Sequence, residues 1–287
     1  MARVLLRSFL CWFVFFVAAQ GWAHGGFDER IQLANQRVAE APSDPSVWVA
    51  RAQLHRRHGD YPEALADLSA AQSLPGAPDN LLYFRALVHL DAGRHAEGER
   101  LLRQFFLAHP VHPAAREAHA RALVALERPL QAARAYDVLI LQQPVPIPDH
   151  YVSRARALAQ VGPGYVVEAL QGLDQGLDRL GPVVTLQRLA IELELQRGAT
   201  DAALARIDRL LQGAARPEGL LAERAWVLVQ AERPAAARES FELALAALER
   251  LPARKRRTLA STRLEAEIRE GLTRVQPLGG GVPGGSR

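Results

Sequence analysis

Few residues in this chain could do acid–base, nucleophilic or metal chemistry, and their spacing limits them further. Glu192 and Glu194 stand two apart. On a helix such residues point to different sides, so they cannot face one another as general acid and base, and both are expected as solvated charges. His55 and His58 stand three apart, on one helix face, and could share a metal ion only with a carboxylate or third His placed beside them. His109 and His112 flank Pro110 in a turn and are expected at the surface. Cys11 is the sole cysteine, which excludes a disulfide within the chain and a cysteine-cage zinc site. No Gly-rich phosphate loop, nucleophile elbow, zinc-helix motif or EF-hand spacing is present. No catalytic residue, cofactor or metal centre is therefore expected.

His24 depends on what happens upstream. Arg3 and Arg7 precede an apolar run from Phe9 to Ala19, and Gly21 and Ala23 follow at the −3 and −1 places of a cut after Ala23. This pattern predicts a secretory signal over 1–23. A cut after Ala19 and an uncleaved anchor are the alternatives. An eleven-residue helix rises only about 16 Å, against about 30 Å of bilayer hydrocarbon. Either outcome exports the rest, with the periplasm as the expected destination and the inner membrane as the alternative. Cys11 lies inside the apolar run rather than after the cut, so lipidation is not expected. A cut after Ala23 would make His24 the N-terminus. Its amine and ring nitrogen could then chelate copper(II), although a frayed end is the plainer reading.

Composition bounds the partners. The 287 residues are 49% apolar and 23% charged, too apolar for disorder and too charged for a polytopic membrane protein. The formal charge is +4, and loss of Arg3 and Arg7 with the signal would lower it to +2. Basic charge is almost all Arg, with Lys255 the single Lys. So small an excess argues against nucleic acid. The cluster Arg254-Lys255-Arg256-Arg257 is expected as a solvated opening of the last helix rather than a lipid site.

The elements that position these residues repeat. Ala64, Gly98, Ala132, Ala169, Ala203 and Ala237 form one column, and Leu68, Leu102, Tyr136, Leu173, Ile207 and Phe241 a second. Ala71, Phe105, Leu139, Gly176, Leu210 and Ala244 form a third, and in all three the steps are 34, 34, 37, 34 and 34 residues. Steps of four and three between columns place one apolar stripe on a helix. An earlier helix carries Trp48, Ala52 and His55, then Leu82, Ala86 and His89, with Gly59-Asp60 and Gly93-Arg94 as breaks. Pro62, Pro129 and Pro234 open second helices, where a missing N–H is harmless. The unit is helix, turn, helix, turn.

Trp48, Ala52, His55, Ala64, Leu68, Ala71 and Pro75, and later Leu221, Ala225, Leu228, Ala237, Phe241 and Ala244, resemble the tetratricopeptide repeat family over about residues 45 to 250. Phe105 and Ile191 depart from its small positions. The resemblance implies an all-α fold, a right-handed α-solenoid of about six helix pairs with capping helices at both ends, in an exported bacterial protein. The expected organisation is a cap over 24–44, repeats one to three over 45–143, and repeats four to six over 144–250. A closing cap over 251–275 and a disordered tail over 276–287 complete it. One helix is expected from Arg254 to Arg274. The three surplus residues fall between Gln142 and Tyr165, as a looser joint or a plain insertion.

The resemblance also implies a concave groove lined by first helices. Its family positions fall here on Gln53, Arg56, Arg57, Asn80, Tyr83 and Leu87, then Glu117 and Arg121, then Arg156, Arg188, Glu192 and Trp226. Five arginines against two glutamates make a mildly basic groove with two aromatic anchors. The Arg fork suits carboxylates, so the expected partner is a protein or peptide, with an acidic segment a plausible guest. The family's Lys and Asn clamp for a terminal carboxylate is absent. The alternative is metal handling led by His24 and nearby His residues.

Overall fold

The computed structural model describes residues 28–145 and 147–276. The signal expected over 1–23, His24 and the tail from 277 lie outside them. The described chain is an all-α solenoid, with no strand among the described residues. Two compact units divide after Pro144. The first holds α1 (28–40), α2 (Pro45–His58), α3 (Tyr61–Ser73), α4 (Leu81–Asp91), α5 (His95–Ala108), α6 (Pro113–Ala125) and α7 (Pro129–Gln142). The second holds α8 (Pro148–Val161), α9 (Val166–Leu180), α10 (Val184–Gln196), α11 (Thr200–Gln212), α12 (Glu218–Gln230), α13 (Pro234–Glu249), α14 (Ala253–Arg256) and α15 (Leu259–Arg274). From α2 to α13 the helices pack as antiparallel pairs, each closest to its own partner.

The columns read from the sequence are the seams of this packing. Every member of the first two is buried. Each large apolar side chain so buried contributes about 1.5–3 kcal/mol. In five pairs the turn between the helices uses one geometry. Gly59, Gly93, Glu127, Gly198 and Glu232 all have positive φ, from +55° to +101°. The next N–H returns to the carbonyl five residues back, as from Arg94 to His89 at 2.8 Å and from Arg233 to Leu228 at 2.9 Å. That bond ties off the end of the first helix. The fourth pair differs. Gly162 leads into a single 3-10 turn, Pro163–Tyr165. Buried Leu123 and Leu158 are 35 residues apart, whereas buried Ala132 and Ala169 are 37 apart. One surplus residue thus precedes α8, and two lie inside this turn.

The C-terminal end departs from expectation. Instead of one helix from Arg254, there are two. Thr258 breaks the run, because its hydroxyl accepts the Ser261 N–H at 3.3 Å and so starts α15 anew. The four basic residues stay exposed on and just after α14. Helix α15 packs on α12 and α13, with Ile268 buried and Gly271 directly beneath the Phe241 ring. No helix among the described residues is long and apolar enough to cross a membrane.

A polar column runs beside the apolar ones. Arg51, Arg85, Arg154 and Arg224 each immediately precede a buried Ala of a first helix, namely Ala52, Ala86, Ala155 and Ala225. Arg51 grips Asp67 of α3 through two bonds of 2.8 and 2.7 Å and reaches Asn35 of α1 at 2.9 Å. Arg85 reaches Ser69 of α3 at 3.0 Å. Arg154 meets Glu168 of α9 at 3.0 Å. Arg224 joins Asp208 of α11 at 2.8 Å and Ser240 of α13 at 2.6 Å. In the fifth pair Ala190 takes the Arg place, and Arg206 of α11 supplies the guanidinium instead. Arg206 binds Asp174 of α9 at 2.7 and 2.9 Å and Glu194 of α10 at 3.3 Å. Glu194 also meets Arg197 at 2.6 Å and is 4% exposed. The expectation of a solvated Glu194 is therefore corrected: two guanidiniums make its burial tolerable.

Candidate binding surface

Within each unit the first helices lie side by side, α2 against α4 and α4 against α6, then α8 against α10. In each unit they form a face, on which that unit's expected groove residues are set. In the first unit Arg56 is committed, donating to Gln53 Oε1 at 3.1 Å and pairing with Asp91. Arg57 is exposed, and Asn80 and Glu117 are half-buried. Leu87 and Arg121 come together, lining a 190 Å³ cavity between α4 and α6 beside Asp91 and His95.

Tyr83 has its ring in an aromatic cluster, 5.8 Å from Phe105 and 4.9 Å from His112. Burial pushes its phenol above the ordinary value, opposed by the Arg56 charge. Trp226 lies edge-on to Phe241 at 5.3 Å, with the Arg274 guanidinium of α15 over its ring. Both aromatic residues, expected as open anchors, are thus engaged in packing.

The second unit assembles more. Arg156 of α8 and Arg188 and Glu192 of α10 line one 590 Å³ cleft, whose apolar floor includes Val152, Leu189 and Leu195. Arg188 pairs with Glu223 of α12 at 3.0 Å. Arg156 is exposed and makes no ion pair among the described residues. The lining offers the uncommitted Arg156 guanidinium, the Arg188–Glu223 ion pair, two further carboxylates in Asp149 and Glu192, and an apolar strip. That suits an extended segment carrying one carboxylate among apolar side chains.

The histidines fill structural places. His55 and His58 both meet Asp60, at 3.2 and 2.9 Å, on the same carboxylate oxygen. These contacts, His58 foremost, hold the Asp60 carboxyl below its usual range. The carboxylate that a shared metal would require is present, yet it serves as an acceptor at the turn. No group of three or more such side chains is placed to hold a metal ion among the described residues. The surface expectation for His109 and His112 is corrected. His109 stacks on Phe105 at 4.4 Å, and His112 accepts the Ala115 N–H at 3.1 Å, capping α6. The sequence reading missed the arginine column, although Arg-Ala recurs on the same 34-residue period at 51 and 85.

Helix pairs, left-handed turns and a first-helix face define a tetratricopeptide-type fold. Solved structures agree. A C-terminal part of a TPR repeat-containing protein from Cytophaga hutchinsonii matches with a TM-score of 0.62 at 13% identity, over 87% of this chain and 98% of that one. YrrB, described as a TPR protein with an unusual peptide-binding site, matches at 0.50 and 16% identity, over 62% of this chain and 91% of its own. A chain of the Naa15/Naa10 structure bound to HypK-THB matches at 0.54 and 14% identity, over 91% of this chain but 38% of that one. No family model and no curated protein matches the sequence.

Proposed function

We propose that this chain is an exported, non-enzymatic scaffold that holds another protein or peptide on its first-helix face. The observation that carries this reading is the cleft shared by Arg156, Arg188 and Glu192, where an unpaired guanidinium stands over an apolar floor. An apolar segment bearing a single Asp or Glu for Arg156 is the guest that fits, since the lining already carries Asp149, Glu192 and Glu223. Two solved structures of similar fold support the class: one is described as having a peptide-binding site and the other as bound to HypK-THB. Export to the periplasm rests on Arg3, Arg7 and the apolar run from Phe9 to Ala19.

Affinity capture with the wild-type chain and with a variant carrying Arg121→Ala, Arg156→Ala and Arg188→Ala tests the surface. The variant is expected to lose the principal captured partner. Capture of the same proteins in the same yield would refute the assignment. The intact mass of the chain recovered from the periplasm is expected to begin at His24, and a full-length mass would refute cleavage.

A further inference from the structure

Within each unit the described seams between helix pairs are closed by guanidiniums, with one exception. Arg51, Arg85, Arg206 and Arg224 each reach from one pair to a neighbouring element. Where α6 and α7 meet α5, the pattern fails in three places. His119 stands where Arg51, Arg85 and Arg224 stand, immediately before a buried Ala. Ala135 stands where Asp67, Arg206 and Ser240 stand. Arg103 replaces the acceptors Ser69, Asp174 and Asp208. The seam therefore lacks its long side chain and opens as a cleft of 610 Å³.

The cleft is basic at its rim and apolar on one wall. Arg103, Arg116, Arg128 and Arg134 line it, against the single carboxylate of Glu99. Glu99 is 5% exposed and already held by Arg103 at 3.0 Å and His119 at 3.2 Å. Arg116 lies over the Phe106 ring and donates to the Pro110 carbonyl at 2.9 Å, so it is fixed as part of the wall. Arg103 and Arg134 are 65% and 52% exposed, Arg134 also meeting Asp137 at 3.3 Å, and Arg128 is exposed as well. Leu130 and Val138 supply apolar surface on α7. The cleft is lined from α5, α6 and α7 and shares no residue with the α4–α6 cavity or the α8–α10 cleft above.

We infer that this seam is a second docking site, taking an acidic segment of a partner protein. Its carboxylates meet Arg103, Arg128 and Arg134, and its apolar side chains lie on Leu130 and Val138. Planar guanidiniums pair with carboxylates in a fork, and the apolar wall favours a peptide over a bare anion. The buried negative charge of Glu99 keeps the positive potential at the rim, where an extended segment would lie.

A fluorescein-labelled synthetic peptide alternating Glu and Leu is the probe, read by polarisation on the full chain. It is expected to bind, and peptides with Gln for Glu or Ser for Leu are expected to bind weakly. Arg128→Ala with Arg134→Ala is expected to weaken binding about tenfold, the effect of two partly exposed charge contacts. His119→Arg restores the missing side chain opposite Glu99. It is expected to abolish binding while the far-ultraviolet circular dichroism spectrum stays that of the wild-type chain. Unchanged affinity in either variant overturns the site. Loss of binding on Arg156→Ala instead would place the peptide on the first-helix face and overturn it. Equal competition by inorganic phosphate, or binding of phosphatidylserine vesicles through Arg128 and Arg134, would overturn the peptide assignment.

Discussion

Two of the five left-handed turns carry glutamate. Glu127 and Glu232 have φ of +55° and +56°, in the same phrase Glu-Arg-Pro, where the other three turns have glycine. A Cβ in this region costs about 1–2 kcal/mol relative to the right-handed one. Glycine removes that cost but gives up about 0.4–1 kcal/mol through the greater freedom of the unfolded chain. Glu127→Gly and Glu232→Gly are each expected to stabilise the chain by about 0.5–1 kcal/mol, or about 1–4 °C in midpoint. Both side chains are exposed, and neither makes a hydrogen bond or ion pair among the described residues, so no contact opposes the gain. The reverse changes calibrate the scale. Gly93→Ala and Gly198→Ala, at +74° and +76°, are expected to destabilise by a similar amount. Gly59→Ala should cost more, because its φ of +101° lies beyond the basin that L residues can occupy. Urea unfolding followed by circular dichroism at fixed pH reads all five, with midpoints compared at constant slope. Destabilisation by both Glu→Gly changes would refute the argument.

Three further outcomes follow from other sites. Arg206→Met leaves buried Glu194 with Arg197 alone and is expected to cost about 3 kcal/mol in urea unfolding, most of it recovered by adding Glu194→Leu; full stability of the single variant would contradict the burial. His119 is held below its ordinary pKa by burial, against the raising effect of Glu99. Below about pH 6.5 the unfolded imidazole takes up a proton that the folded one resists, so stability falls as pH drops through that window. His119→Gln should flatten the decline below about pH 6.5, and an unchanged slope would show that other groups carry it. Gly271→Val drives a side chain into Phe241, lifts α15 off Trp226 and should cost about 1–3 kcal/mol. Red-shifted tryptophan emission is the check, and unshifted emission would mean that α15 stays seated.

The apolar columns were legible because packing one helix pair on the next demands the same small or large residue at each step. The arginine column obeys the same period, yet a reading of hydrophobic spacing discards it. Its acceptors Asn35, Ser69, Asp174 and Asp208 share one register but not one residue type, so no column of like residues marks them. Glu194 looked like a surface charge because its burial depends on Arg206, twelve residues away on another helix. His112 looked like a surface residue because the Tyr83 ring it meets comes from the preceding pair. The first-helix positions followed from the repeat register. Which of them would stay open did not, since the cover on Trp226 comes from α15 at the far end of the chain.

The unlike seams also bear on order of assembly. Chains built from near-copies can stack in the wrong sequence or trade pairs with a second molecule, because each surface accepts many mates. Here the mates differ. A pair bearing Arg85 or Arg224 that slid into the place of α6 and α7 would bring its guanidinium against Arg103. One that took the place of α10 and α11 would meet Asp174 with the wrong helix. The α5–α6 and α9–α11 junctions thus each depart from the pattern that α3–α4 and α11–α12 share, in which helix gives the guanidinium and which the acceptor. A chain with so little variety in its apolar residues can still assemble in one order.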